Sequence, residues 1–438
     1  MDKAVRKYLD RYAENRDFSA INQSLAHRVF DHAIVVPCRG EGTNIKALIN
    51  SISDESTAVL LILVINGSEG DDEEIGQLNK ESCNFLRTQF EAISTEAETF
   101  NIYDSRFGTI VAINCYDEKN CLSSREGVGL ARKIGTDLAL FLWTQRRIRS
   151  AYIQSTDADV RLPEDLLEQI YSIPRKPKFS ALLLPFYHVA NPDTADVSRA
   201  SAIHEMSLRY YVMGLRYAGS PYAHHTIGST ILVHANDYAK ARGYPKRLAG
   251  EDFHLLNKLR KLRPIYRCSG LPLQVEGRIS RRVPFGTGRK IDEIRNQGIC
   301  FFYAPEIFQA LRQFFQRVEQ LTQVPVNAAD ELNFGQGIVI QCLRQLGYLE
   351  GIIYALRPEG TQQLRAQRFM TYFDALKTLR TIHLLRDEFF PNVDYEIALR
   401  NAPFLDAWTN RGTTIEEARD GLSQFENYYF RTPVDTNS

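Results

Sequence analysis

Apolar residues in the first half of the chain follow two rhythms that take turns. Unbroken apolar runs at 33–36 and 58–65, and a shorter one at 109–113, predict buried strands, because a strand covered on both faces loses its polar alternation. Between them the apolar positions recur at helical spacing. Ile45, Leu48, Ile49 and Ile52 predict a helix over 43–52, opened by Gly40, Gly42 and the cap-competent Thr43. Residues 75–90 predict a second helix. Leu130, Ile134, Leu138, Phe141 and Leu142 predict a third, beginning near Gly127, and the run at 151–154 predicts a fourth strand. Strands and helices alternating in this way imply parallel βαβ units with right-handed crossovers, an α/β fold with a mostly parallel sheet flanked by helices.

The pattern then loosens. Residues 179–187 and 229–235 read as strands, 198–216 and 251–263 as helices, and 265–268 and 273–276 as short strands. From Pro305 onward it is helical: Ile307, Leu311, Phe314, Phe315, Val318 and Leu321 form one stripe, and Leu376, Leu379, Ile382 and Leu385 another. The expected organisation is a helical lead-in over 1–30, a main domain over 31–300 and a helical C-terminal region over 301–438. The aromatics of that last region, Phe301, Phe302, Phe314, Phe315, Phe369 and Tyr372, are read as core or as a homo-oligomer interface.

Composition narrows the function classes. With 438 residues, 44% hydrophobic and 24% charged, the chain has the make-up of a folded globular protein. Its longest apolar runs, at 58–65 and 138–143, fall short of the roughly 20 residues that cross a bilayer, so no transmembrane segment is expected. Residues 1–17 lack the apolar centre of a signal peptide, which makes the cytoplasm the expected location. Seven cysteines without a Cys-x-x-Cys pair predict reduced thiols, with neither a disulfide framework nor a zinc site. A net charge of zero argues against a general nucleic-acid or membrane-surface binder. The distribution is uneven: 240–290 holds fourteen Lys or Arg against three acids, whereas 69–98 holds nine acids against two bases and reads as a solvent-facing surface.

The candidate chemistry lies where the fourth strand ends. Thr156-Asp157-Ala158-Asp159 places two carboxylates one residue apart at the edge where open α/β sheets bind ligands. Asp157 and Asp159 could grip one divalent cation, and oxygen ligands favour Mg²⁺ or Mn²⁺. A metal there would neutralise a diphosphate. Glu251-Asp252, inside the basic stretch, could supply a base. An Asx-turn or helix cap competes with the first assignment, and a favourable helix-dipole placement with the second.

Several segments in order resemble the nucleotide-sugar glycosyltransferases of the GT-A fold, a Rossmann-like nucleotide-diphospho-sugar transferase architecture, in particular those of the family 2 type. Ile34-Val35-Val36-Pro37-Cys38-Arg39-Gly40-Glu41 is similar to the family's first strand, with its Pro and a Glu bordering the nucleoside pocket. Ile65-Asn66-Gly67-Ser68 stands where the family has an Asp-Asp-Gly-Ser-type turn. Gly127-Val128-Gly129-Leu130-Ala131-Arg132-Lys133 looks like the Gly-x-x-x-Ala-Arg-Asn segment beside the donor. Asp157-Ala158-Asp159 corresponds to the metal-binding triplet. Gly228-Ser229-Thr230, and Arg242-Gly243-Tyr244 before Gly250-Glu251-Asp252-Phe253, resemble the acceptor-side segments.

The resemblance implies a hexosyltransferase with donor contacts at Pro37, Arg39, Glu41, Asn66, Arg132 and Asp157, and acceptor contacts at Gly228, Ser229 and Thr230. It places the metal on Asp157 and Asp159 and the catalytic carboxylates at Asp252 and Glu251, with Asp252 as the base of an inverting transfer to a small hydroxylated acceptor. Asn66 departs from the family's carboxylate and leaves the base of the nucleotide open. The arginine-rich segment 278–289, with Arg281, Arg282 and Arg289 around Gly286-Thr287-Gly288, is read as a phosphate-closing loop or as a plain surface loop. Retaining transfer to glycerate or phosphoglycerate, a sugar-phosphate nucleotidyltransferase and a non-catalytic scaffold are the alternatives. Processive members' Gln-x-x-Arg-Trp signature and membrane helices are missing, which argues against a polymer synthase.

Overall fold

The apolar runs become the central strands of a sheet. In the computed structural model the described residues are 2–14, 17–52, 58–94, 98–171, 173, 178–189, 195–268, 270–277, 286–298, 300–323, 334–409, 412 and 414–431. Contacts group the chain into two units, Met1–Asn191 with Thr226–Arg289, and Pro192–His225 with Lys290–Ser438.

In the first unit the strands are β1 (His32–Cys38), β2 (Val59–Asn66), β3 (Ala92–Ser94), β4 (Phe100–Ser105), β5 (Gly108–Cys115), β6 (Tyr152–Ser155), β7 (Val160–Arg161), β8 (Ala181–Leu183), β9 (Phe186–Val189), β10 (Ile231–His234), β11 (Ile265–Arg267) and β12 (Leu273–Glu276). Nine of them form one sheet in the order β11-β8-β10-β6-β1-β2-β5-β4-β3, and β7-β12-β9 form a second. The centre of the large sheet, β6-β1-β2-β5, is parallel. β10 runs antiparallel to both β6 and β8, and β4 and β3 add an antiparallel flank on the other side.

Alternation along β1 and β2 divides the core in two. Ala33, Val35, Leu60, Ile62 and Val64 face a layer that includes the helix Gly127–Thr144, while Ile34, Val36, Leu61, Leu63 and Ile65 face one that includes Ile45–Ser51. The Gly127–Thr144 helix lies so close that a Cβ on Gly135 would stand 2.4 Å from Val35 Cγ1. The lead-in forms the helices Lys3–Arg11 and Phe18–Ser24 and is anchored from within: Tyr8 Oη donates to Asp137 Oδ1 at 2.6 Å, Lys133 Nζ to Asp137 Oδ2 at 2.9 Å, and Tyr238 Oη to Asp137 Oδ1 at 2.8 Å.

Three sequence expectations need revision. The β3–β4 hairpin was not foreseen, because its strands are short and partly exposed. The single strand expected over 179–187 is two, β8 and β9, broken at Leu184-Pro185. Proline cannot donate to the ladder and restricts the residue before it, and the two halves join different sheets. The strand expected from Ser229 begins only at Ile231, after a 3-10 turn over Gly228–Thr230.

The second unit is mainly helical, with a two-residue strand pair, Phe301–Phe302 and Val393–Asp394. Its 24-residue helix Ala195–Ala218 packs on Pro305–Gln323 and Ile415–Arg431. Tyr210 lies among the rings of Phe302, Phe308 and Phe404. Phe314, Phe315, Phe369 and Phe373 form a second aromatic group, in line with the core reading, whereas Phe301 is 53% exposed. Among the described residues no helix is long and apolar enough to cross a membrane.

Candidate active site

The parallel strands β1, β2 and β6 end at one edge of the large sheet, and the segments that follow them carry most of the singled-out residues. Pro37 lies within β1, buried and in register with Val64. Just beyond, Arg39 Nε and Nη2 donate to Asp71 Oδ2 and Oδ1 at 3.1 and 2.5 Å, a bidentate pair. Asp71 also accepts the Ser68 N–H at 2.9 Å. Asn79 ties the two strand ends together: its Oδ1 accepts the Gly40 N–H at 2.9 Å and its Nδ2 donates to the Asn66 carbonyl at 3.1 Å. Gly40 has φ +62°, a backbone conformation that favours glycine. Glu41 is buried. Asn66 is 1% exposed, and its Oδ1 has no hydrogen-bond partner among the described residues.

Beyond β6 the burial alternates. Thr156, Ala158 and Val160 are buried, and Asp157 and Asp159 reach solvent between them. The Thr156 N–H still donates to the Val35 carbonyl at 3.0 Å, which holds the turn to the sheet, and the Asp159 carbonyl accepts from Glu276 at 3.1 Å, which holds it to the smaller sheet.

Arg132 joins this turn to a distant helix. Its Nη2 donates to Asp157 Oδ1 at 2.5 Å, its Nε to Glu251 Oε1 at 2.8 Å, and its Nη1 to Ser155 Oγ at 2.9 Å and the Thr156 carbonyl at 3.3 Å. Burial works against the guanidinium charge, but Asp157 and Glu251 more than offset it and raise its pKa. Gly228 makes the space, since a Cβ there would lie 2.5 Å from Arg132 Nη2. Because β10 is antiparallel to β6, the 3-10 turn that precedes it sits beside the end of β6. Thr230 Oγ1 donates back to the Ile227 carbonyl at 3.0 Å, whereas Ser229 Oγ and Thr156 Oγ1 are buried with no hydrogen-bond partner among the described residues. Orphaned polar atoms at a strand edge are where a ligand or a water completes the bonding.

The helix Glu251–Leu262 starts after Gly250, whose φ of +74° turns the chain into it. Glu251 is buried on Arg132. Asp252 is half-buried, and its Oδ1 accepts the Phe253 N–H at 2.6 Å. Burial, then the Glu251 carboxylate, push the Asp252 carboxyl up to about 7; the Phe253 N–H and Arg132 pull it down, and Asp157 raises it further. This is a carboxyl able to exchange a proton near neutral pH.

Asp71, Asn79 and Ser155 were not singled out from sequence. Asp71 stands in an acidic run that reads as plain surface, and Asn79 in a helix. Tyr244 is 1% exposed; burial pushes its hydroxyl up, and Arg132 and Ser155 pull it down. The sequence resemblance includes it in the acceptor-side segment Arg242-Gly243-Tyr244. Arg289, expected in a loop, belongs to the helix Thr287–Gln297, while Arg281 and Arg282 lie outside the described residues. Among the described residues no group of three or more His, Cys, Asp or Glu side chains is gathered for a metal ion.

No protein-family model matches the chain, and no curated protein matches it. Among solved structures, S. aureus TarS 1–349 in complex with UDP-GlcNAc is similar at a TM-score of 0.35 and 11% identity, over 82% of this chain and 91% of that one. The same fragment in complex with UDP gives 0.35, and a further crystal structure of it gives 0.34, with the same identity and coverage. The chemistry therefore rests on the residues of this chain.

Proposed function

We propose that the chain is a nucleotide-sugar glycosyltransferase of the GT-A type that moves one hexosyl unit from a nucleoside-diphosphate sugar to a hydroxyl of a small acceptor, with inversion. The observation that carries this reading is Asp252, a carboxyl pushed up to about 7 and grouped by charge with Glu251 and Asp157 where β6 ends. As carboxylate it takes the proton of the acceptor hydroxyl while that oxygen bonds to the anomeric carbon. The bond from that carbon to the diphosphate oxygen breaks, and its electron pair leaves with the nucleoside diphosphate. Asn66, Thr156 and Ser229, with unmet polar atoms, fit a polar ligand along the same edge.

Asp157 and Asp159 fit a Mg²⁺ or Mn²⁺ ion that takes its other ligands from water and phosphate oxygens, a mode in which one or two protein carboxylates suffice. Such an ion would offset charge on the departing diphosphate. Asp157 shares its Oδ1 with Arg132, so its second oxygen is the one that would face the ion.

The test is a panel of nucleotide sugars, UDP-GlcNAc among them, assayed for nucleoside-diphosphate release with and without Mn²⁺. Metal-dependent release that is lost in Asp159→Ala, and that falls by about 10²–10⁴-fold in Asp252→Asn with nucleotide binding kept, is the expected result. Pyrophosphate release instead would make the protein a nucleotidyltransferase. No response to any donor would overturn both.

A further inference from the structure

Arg132 is 4% exposed, and all three of its guanidinium nitrogens are committed to groups within the first unit. An arginine that binds a diphosphate presents its fork to the ligand. This one is turned inward, onto carboxylates 25 and 119 residues away in sequence. The surroundings enforce that orientation. A Cβ on Gly228 would lie 2.5 Å from Nη2 and 2.9 Å from Cζ, and a Cβ on Gly129, in the first turn of the same helix, would lie 2.4 Å from the Pro245 carbonyl oxygen. The Gly129 N–H donates to the Arg247 carbonyl at 3.0 Å, so the helix start is fastened to the segment that leads into Glu251. Asp157 and Glu251 share this one guanidinium, both ion-paired with it, whereas Asp252, next in the chain after Glu251, has no ion pair among the described residues.

We propose, on the assignment of Asp252 as base, that Arg132 is a positioning residue rather than a donor ligand. One guanidinium fastens the end of β6 to the start of the Glu251–Leu262 helix, holds Glu251 out of proton transfer, and so orients Asp252 toward the acceptor hydroxyl. Gly228 is required because any side chain there would displace that guanidinium.

The full-length chain carrying Arg132→Gln, Arg132→Lys or Gly228→Ala tests this. A positioning role predicts that kcat falls by roughly a hundredfold, the effect of about a 1 Å misplacement, while donor KM changes by less than about threefold. Removing the guanidinium also takes a positive charge from the neighbourhood of Asp252. In Arg132→Gln the acid limb of the pH profile therefore moves to higher pH. The Asp252 carboxyl ¹³C signal, assigned with Asp252→Asn, titrates higher as well, and this readout needs no turnover. Gly228→Ala keeps every ionisable group and covers the case in which Arg132→Gln does not fold; its kcat should fall likewise. A rise in donor KM with kcat retained, an unmoved carboxyl titration, or a native kcat in Gly228→Ala would each overturn the proposal. A native chain that turns over no nucleotide sugar would instead refute the transferase assignment, and the carboxyl titration would still decide the role of Arg132.

Discussion

At the scale of single residues, Asp252 is a group whose ionisation opposes the fold. An ordinary aspartate releases its proton near 3.8, as it would in the unfolded chain, while the folded carboxyl holds its proton up to about 7. Stability therefore declines as pH rises between those values, and the full penalty stands above 7. Asp252→Asn keeps an oxygen for the Phe253 N–H and carries no charge. It should raise the thermal midpoint at pH 8 and change it little at pH 4; equal shifts at both would show that the carboxyl is not perturbed. On the proposed assignment of Asp252 as base, native turnover should rise as pH passes through about 7, and a kcat/KM profile reads this directly. On that assignment the same residue lowers stability in the pH range where it would act as base.

At the scale of elements, the Gly127–Thr144 helix carries two unlike duties on adjacent residues: Arg132 reaches the strand edge, and Lys133 reaches the lead-in. Gly135→Ala would place a methyl 2.4 Å from Val35 Cγ1 and should cost about 1–3 kcal/mol by overpacking, measurable by urea denaturation. Asp137→Ala would leave the buried Lys133 ammonium without its carboxylate and should cost about 3–5 kcal/mol, with faster amide exchange in Lys3–Arg11 as the local sign. The central strands and this helix were legible in the sequence because burial on both faces leaves unbroken apolar runs and a 3.6-residue period. The β3–β4 hairpin was not, since β3 has only three residues and β4 interleaves polar residues among its buried Phe100, Ile102 and Tyr103 rather than forming an unbroken apolar run. The site was legible only in part. Asp157 and Asp252 stand out as acids at element ends, but the partners of Arg132 are chosen by strand order and helix docking, and nothing within a few residues of it indicates them. Asp71 was hidden for a related reason: an acid in an acidic run reads as surface until the bidentate arginine is seen.

At the scale of the whole molecule, each unit encloses its own buried charge cluster. In the second, Arg209 is fully buried between Glu205 and Glu426, and His225 Nε2 lies 2.6 Å from Glu426 Oε1. Arg209→Met would remove the guanidinium that both glutamates share, at a cost of roughly 3–5 kcal/mol. Hydrogen exchange should then quicken in Ala195–Ala218 and Ile415–Arg431 while β2 keeps its protection; uniform loss across both units would contradict this. The ion pairs of Arg132 have a consequence in time as well. A chain leaves the ribosome N-terminus first, at about 5–20 residues per second, so Arg132 and Asp157 emerge several seconds before Glu251. Until then the guanidinium has one carboxylate instead of two, and the turn after β6 has no helix to hold. Closure of that bridge requires the nascent chain to have been made past residue 251, so a chain released earlier would hold the end of β6 without Glu251 and Asp252.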